Sequence, residues 1–165
     1  SIYIYIPDEK LKIYGDLLRI ITAQSMEYFS SRPPENKQTI LFCLDEFASF
    51  GKLQIVESLR KLRKRRIRIL VLTQSVSDVD MIYGKDERKA MLGNFKFTVI
   101  LGCKDTETQE YFSKMIGEKR SLLATDPYQK PHPIIKPADL AHLEQDLFVI
   151  CDDGAIRLKK NFYFK

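Results

Sequence analysis

No run of apolar residues in this 165-residue sequence approaches the ~20 that a membrane-crossing helix needs, so a soluble segment is expected. A charged leader with a cleavage site is also missing; the chain opens directly into SIYIYI, and no signal peptide is read there. Cysteine is sparse: Cys43, Cys103 and Cys151 each end or follow an apolar run, and no two form C-x-x-C. Two histidines are too few for a mixed zinc site at ligand spacing. The cysteines are therefore read as reduced core residues of a cytoplasmic protein, with thiol chemistry as the alternative. None of the seven glycines builds G-x-x-x-x-G-K-[ST]: Gly51-Lys52 is followed by Leu53 and has no glycine five residues earlier. Without that loop there is no backbone cradle for phosphates and no lysine at their oxygens. The sequence as it stands is not expected to be a self-sufficient P-loop ATPase.

What is present describes a globular chain, 44% hydrophobic and 30% charged, long enough for one domain with a proper core. Lys and Arg number 27 against 22 Asp and Glu, a net charge of +5. Seven of the 27 lie in residues 60–68 (RKLRKRRIR), leaving 20 basic against 22 acidic residues elsewhere. The protein is near neutral and carries one basic block.

Ile2 to Ile6 alternate with period two and read as a strand, which at the very start suggests a segment of something longer. A long helix is expected after Pro7-Asp8 to about Phe29, with Tyr14, Leu17, Leu18 and Ile21 on its packed face and Pro33-Pro34 ending it. The uncharged run Gln38–Leu44 predicts a strand buried on both faces. Leu53 to about Arg65 is an amphipathic helix with Ile55, Val56, Leu59 and Leu62 inward, and Ile67–Thr73 is a second buried strand. Helical pieces follow near Val76–Tyr83 and Asp86–Leu92, then a third internal strand, Phe95–Leu101. Asp105 is placed to cap a helix bearing Tyr111, Phe112, Met115 and Ile116. Glu118–Pro137, with four prolines, is read as a long loop, and Asp153-Gly154 between Leu147–Cys151 and Ala155–Phe164 as a hairpin turn. Alternating strands and helices imply parallel crossovers. The expected class is α/β, a three-layer, mostly parallel sheet with a C-terminal antiparallel hairpin, as a single domain over 1–165.

Ligands collect beyond the carboxyl ends of parallel strands, so the residues leaving each strand carry the functional argument. Asp45 and Glu46 follow ILFCL; Thr73, Gln74 and Ser75 follow IRILVL. Adjacent carboxylates after an apolar strand are the second nucleotide motif of RecA-type NTPases, one holding hydrated Mg²⁺ and the other polarising the attacking water. A solvated strand end, with Glu46 beginning a turn, is the plainer alternative. Gln74, ending the next strand, would stand beside that pair and sense a γ-phosphate, although Thr-Gln-Ser is also ordinary strand-exit chemistry. The basic block has three readings: cations loading a helix C-terminus, a polyanion contact through Arg65, Arg66 and Arg68, or an arginine offered to a neighbouring subunit's nucleotide. No aromatic residues interleave with it, so any DNA contact should be to phosphates.

ILFCLDEFASFGKL, LTQSVSDVDMIYG and LGNFKFTVILGCKDTETQEYFSKMIG, in this order and spacing, resemble the C-terminal half of TraG/TraD-type type IV secretion coupling proteins. The closing HPIIKPADLAHLEQDLFVICDDGAIRLKKNFYF resembles that family's ending. The resemblance implies a RecA-like domain of a membrane-anchored, hexameric ATPase working with ATP and Mg²⁺ on the cytoplasmic side of a bacterial membrane. Such proteins receive relaxase-bound DNA from the relaxosome and feed it to a secretion channel. It also implies that Asp45 and Glu46 are the Walker B pair, Asp45 holding Mg²⁺ through water, and that Gln74 is the glutamine of the next motif. Arg63, eleven residues before Gln74, matches the arginine that acts on the adjacent subunit's nucleotide. The family's membrane helices and phosphate loop are absent, so the segment alone is expected to be inactive, and Asp78 stands where many members have a second Gln. Two further readings stay open: a fragment of an FtsK/HerA-like DNA translocase, and a non-enzymatic docking module for relaxosome or accessory proteins.

Overall fold

The computed structural model of the chain describes residues 1–33, 35–36, 38–119 and 131–163. They group into two compact units that alternate along the sequence. The first comprises residues 1–74 and 78–95, the second residues 75–77 and 96–165.

In the first unit, helix α1 (Asp8–Ser30) leads to strand β1 (Ile40–Leu44), a 3-10 turn (Phe47–Phe50) and helix α2 (Ile55–Arg63). Strand β2 (Ile67–Val71) then pairs parallel with β1, in register from Ile40↔Ile67 to Leu44↔Val71. This is the strand–helix–strand crossover that the two uncharged runs and the intervening amphipathic helix predict. Helices α3 (Val76–Tyr83) and α4 (Lys85–Leu92) follow, the first two residues of α3 falling in the second unit. Phe47, Ile55 and Leu62 are fully buried, each such side chain contributing roughly 1.5–3 kcal/mol. They pack with Met26, Leu44, Leu53, Ile67, Val79, Tyr83 and Met91. Between α3 and α4, Arg88 closes a buried bidentate pair on Asp80 at 2.7 and 3.3 Å.

Three expectations need correction here. Residues 1–7 form no strand, and Ile2, Tyr3 and Tyr5 are exposed; no described strand supplies the ladder that the alternation alone cannot. Helix α1 packs through Thr22, Met26 and Phe29, whereas the expected face bearing Tyr14, Leu17 and Ile21 is exposed. Two apolar stripes ran along this helix, and the one that meets α2 and the 3-10 turn is the one that packs. Among the described residues of this unit, strands β1 and β2 pack into the core through one face. Ile40, Phe42, Ile69 and Val71 join the core, while Leu41 (60% exposed), Cys43 and Leu70 lie open.

In the second unit, strand β3 (Thr98–Ile100) pairs antiparallel with β6 (Asp146–Cys151), which pairs antiparallel with β7 (Gly154–Lys159). The hairpin stands where Asp153-Gly154 placed it, with Gly154 at φ +115°, a conformation glycine adopts freely. β3 is shorter than its apolar run and joins the antiparallel sheet. The chain thus combines a parallel pair with an antiparallel sheet in an α/β fold. Helix α5 (Thr106–Ile116) precedes a short antiparallel pair, β4 (Glu118–Lys119) with β5 (His132–Pro133), inside the segment expected to be a loop. Residues 120–130 of that segment, Pro34 of the helix stop and Phe164 of the last strand lie outside the described residues. The core gathers Ile100, Cys103, Ile116, Ile135, Leu140, Leu143 and Phe148. Of the three cysteines only Cys103 is buried, and burial raises its thiol pKa; Cys43 is exposed and Cys151 half-buried.

Candidate functional site

Asp45 and Glu46 leave β1 at its carboxyl end. The ladder continues past them: Leu72 donates N–H to the Leu44 carbonyl at 3.0 Å, and Phe47 donates to the Leu72 carbonyl at 2.8 Å. The two carboxylates therefore sit on a turn tied at both ends to the neighbouring strand. Phe47 anchors it, fully buried and stacked on the Tyr83 ring at 5.3 Å. The Tyr83 hydroxyl donates to the Gly51 carbonyl and accepts from Leu53 N–H, each at 3.1 Å.

Making this turn puts Glu46 in the left-handed region, φ 49° and ψ 55°. For a residue with a Cβ this conformation costs on the order of 1–3 kcal/mol. Asp45 Oδ1 accepts the Glu46 N–H at 3.0 Å and steadies the bend. Gln74, beyond the carboxyl end of β2, donates from Nε2 to Glu46 Oε2 at 3.1 Å. Twenty-eight residues apart in sequence, they meet because parallel neighbours in register end side by side. All three side chains are exposed at one edge of the sheet.

Arg63 is elsewhere. It is the last residue of α2, which returns the chain to the start of β2, so it lies toward the amino ends of the strands. The strand length alone sets about 13 Å between that edge and the Asp45 edge. Arg65, Arg66 and Arg68 share its end: Arg66 has φ 58°, and its carbonyl accepts Ile40 N–H at 3.3 Å. Arg63 and Arg66 are exposed, Arg65 half-buried and Arg68 exposed. The structure thus brings Asp45, Glu46 and Gln74 together and holds the arginines apart from them. Asp78 lies in the first turn of α3.

Sequence reasoning missed the polar cluster before α5. Asp105 does cap that helix, accepting from Glu107 N–H at 3.3 Å and Thr108 N–H at 2.9 Å. Its carboxyl pKa is lowered chiefly by the Thr108 hydroxyl, which also donates to it. Ser77 Oγ donates to the same carboxylate at 3.2 Å, and Val76 N–H donates to Thr108 Oγ1 at 2.9 Å. A threonine three residues after a capping aspartate was the available signal, and nothing in it pointed to Val76.

A family model described as the TraM recognition site of TraD and TraG matches residues 39–145. The chain belongs to the TraG/TraD family. Protein VirD4 of Agrobacterium fabrum (strain C58 / ATCC 33970) is 23% identical over 181 residues, covering 99% of this chain and 27% of VirD4. Conjugal transfer protein TraG of the same organism is 24% identical over 170 residues, covering 93% of the chain and 26% of that protein. The chain therefore spans about a quarter of the length of these curated relatives. Among solved structures, plasmid coupling protein TrwB in complex with the non-hydrolysable GTP analogue GDPNP superposes with a TM-score of 0.81 at 25% identity. The match covers 95% of this chain and 40% of TrwB. TrwB in complex with ADP and Mg²⁺ gives a TM-score of 0.75 at 26% identity, covering 92% and 39%. The RecA-like α/β fold expected from the resemblance is the fold of this TraG/TraD chain.

Proposed function

We propose that this chain is the Walker B-bearing part of a conjugative coupling ATPase, whose complete form uses ATP and Mg²⁺ to move DNA toward a type IV secretion channel. The observation carrying this reading is the Glu46–Gln74 hydrogen bond at the carboxyl edge of the parallel pair, beside Asp45. TrwB, solved with ADP and Mg²⁺ and with a GTP analogue, supports a nucleotide in the complete protein.

The donor set fits Mg²⁺ held through water. No group of three or more His, Cys, Asp or Glu able to cage a metal occurs among the described residues. Mg²⁺ keeps several waters and leans on one or two carboxylates plus phosphates, which an exposed Asp45 beside Glu46 can provide. The ion, when bound, neutralises phosphate charge. Asp45 would hold its hydration shell. Glu46 would accept a proton from water, and Gln74, already bonded to Glu46, would fix the direction of that carboxylate and turn its remaining polar atoms toward the γ-phosphate.

The complete protein is proposed to be a homo-hexamer, its catalytic part cytoplasmic and anchored in a bacterial membrane. Among the described residues no helix is long and apolar enough to cross a membrane. The family description, TraM recognition site of TraD and TraG, supports a docking role for a relaxosome-type partner on the same polypeptide. Similarity to VirD4, TraG and TrwB favours a coupling protein over a general FtsK/HerA-like translocase.

Glu46→Gln in the complete protein should lower ATP turnover at least about a hundredfold, the scale of a lost general base, while nucleotide still binds. The 165-residue chain alone should hydrolyse no ATP above background, having no G-x-x-x-x-G-K-[ST] loop. Turnover by the chain alone that Glu46→Gln removes, or an unaffected Glu46→Gln in the complete protein, would overturn the reading.

A further inference from the structure

Only Asp45 and Glu46 stand between two points pinned to Leu72. Before them, the Leu44 carbonyl accepts Leu72 N–H; after them, Phe47 N–H donates to the Leu72 carbonyl. With two soft backbone dihedrals per residue, so short a link has few ways to close. The closure it takes puts Glu46 in the left-handed region, which a residue with a Cβ keeps only when its surroundings impose it. The Asp45 Oδ1 bond to Glu46 N–H is local and exposed, so the imposing contact has to be sought at Phe47.

The Phe47 ring is fully buried and lies nearly parallel to the Tyr83 ring, with 8° between planes and 5.3 Å between centroids. The Tyr83 hydroxyl reaches past the 3-10 turn to the far end of the same loop. There it donates to the Gly51 carbonyl and accepts Leu53 N–H, each at 3.1 Å. Gly51 itself has φ +66°, so the loop bends at this point through a conformation that favours glycine. One side chain thus braces both ends of the loop that runs from Glu46 to α2. Leu53 is 2% exposed, and its amide would be left buried without a partner if the hydroxyl were removed. Tyr83 is held in turn. It is the last residue of α3, and the buried Asp80–Arg88 pair joins α3 to α4. Lys52, next to Gly51, adds an ion pair to Glu87 of α4 at 2.8 Å. All of these residues belong to the first unit.

We propose that Tyr83 is a positioning residue for Glu46: its ring seats Phe47 and its hydroxyl fixes Gly51 and Leu53, so the turn closes with Glu46 left-handed and its carboxylate at Gln74. The proposal rests on the reading of Glu46 as the residue that activates water. It gives the α3–α4 pair a task in that chemistry, as the brace behind the carboxylate turn.

The direct test is NMR on the ¹⁵N-labelled 165-residue chain, following the Leu53 and Glu46 backbone amides and the Gln74 side-chain amide. Tyr83→Phe keeps the ring and removes the hydroxyl; Tyr83→Leu removes both. The Leu53 amide should move in Tyr83→Phe, the Glu46 and Gln74 amides should move with it, and all three should move further in Tyr83→Leu. A Leu53 amide that moves while Glu46 and Gln74 stay would overturn the proposal, since the brace would be broken without consequence at the carboxylate. Should Tyr83→Leu give the spectrum of an unfolded chain, Tyr83→Phe decides alone. In the complete protein, Tyr83→Phe should lower kcat about tenfold with the KM for ATP within about twofold, as a small misplacement of a positioned group does. A lower Tm with kcat unchanged, measured where the variant is folded, would make Tyr83 a stabilising residue only and sink the proposal. A KM change in place of the kcat change would do the same. A complete parent protein without ATP turnover would remove the ATPase reading, while the NMR comparison would still decide whether Tyr83 governs Glu46.

Discussion

Each polar residue at the carboxyl edge of the parallel pair has an identifiable geometric reason for its position. Asp45 and Glu46 leave a strand whose end is extended by two further ladder bonds, and Gln74 leaves the neighbour in register with it. Asp105 has a different role, as a helix cap that also accepts from two hydroxyls, those of Ser77 and Thr108. Asp105→Ala should cost about 1 kcal/mol, the usual loss for an N-cap, read as a lower Tm at neutral pH. Its sign with pH follows from the lowered carboxyl pKa. The contribution is fully present above the ordinary carboxylate value, about 4, and is lost as pH falls through the lowered folded value. The Tm gap between the parent chain and Asp105→Ala should therefore be full at pH 7 and shrink steadily on acidification below about pH 4. A gap independent of pH would mean that the ionised carboxylate does not carry the cap.

Among the elements, what was legible followed from local pattern, and what was not depended on partners. The Asp153-Gly154 signal found the hairpin because a tight turn is decided by a few residues. The apolar spacing of α2 found its inner face, Ile55 and Leu62, because one helix has one best stripe. β3 was legible as a strand but not as a partner of β6: an uncharged run says that a segment packs, not against what. For the same reason Leu41 and Leu70, read as buried, lie on an open face. In the candidate site, the Asp45–Glu46–Gln74 grouping was legible since parallel strand ends fall together; in the second unit the Val76–Thr108 hydrogen bond was not, since it joins residues 32 apart through a backbone amide. The basic block turned out to span the last turn of α2, the turn at residues 64–66 with Arg66 in its bend, and the start of β2. If this turn meets DNA, binding should be sequence-independent. Replacing Arg65, Arg66 and Arg68 together by Ala should then flatten the slope of log affinity against log salt. The change should be roughly 0.9 for each duplex phosphate that the variant no longer neutralises. An unchanged affinity and slope in a filter-binding or anisotropy titration would leave these arginines as the cationic cap of α2.

For the whole molecule, the placement of Arg63 separates two modes of action. If the complete protein assembles from several subunits as proposed, an arginine about 13 Å along the strands from its own chain's Asp45 edge would act across a subunit boundary. Arg63→Ala in the complete protein should then preserve nucleotide affinity and lower turnover on the order of 10³-fold, the lower end for arginine fingers. Mixed with Glu46→Gln subunits, it should regain part of its activity, because an Arg63→Ala subunit keeps working carboxylates and borrows its neighbour's arginine. Mixed rings of verified assembly with no regained turnover would exclude action in trans, and a fully active single variant would make Arg63 surface charge.

The alternation of the two units along the chain also governs what scission can do. A break after Phe95 strips the second unit of Ser75–Ser77, so that Thr108 Oγ1 loses the Val76 amide and Asp105 loses the Ser77 hydroxyl. A break after Gln74 removes Asp78–Phe95 from the first unit, and with it Tyr83 and Met91 from that unit's core. No single cut releases both units whole. With either cut one fragment lacks residues that the other holds, and reconstitution from the two together is the behaviour this threading dictates.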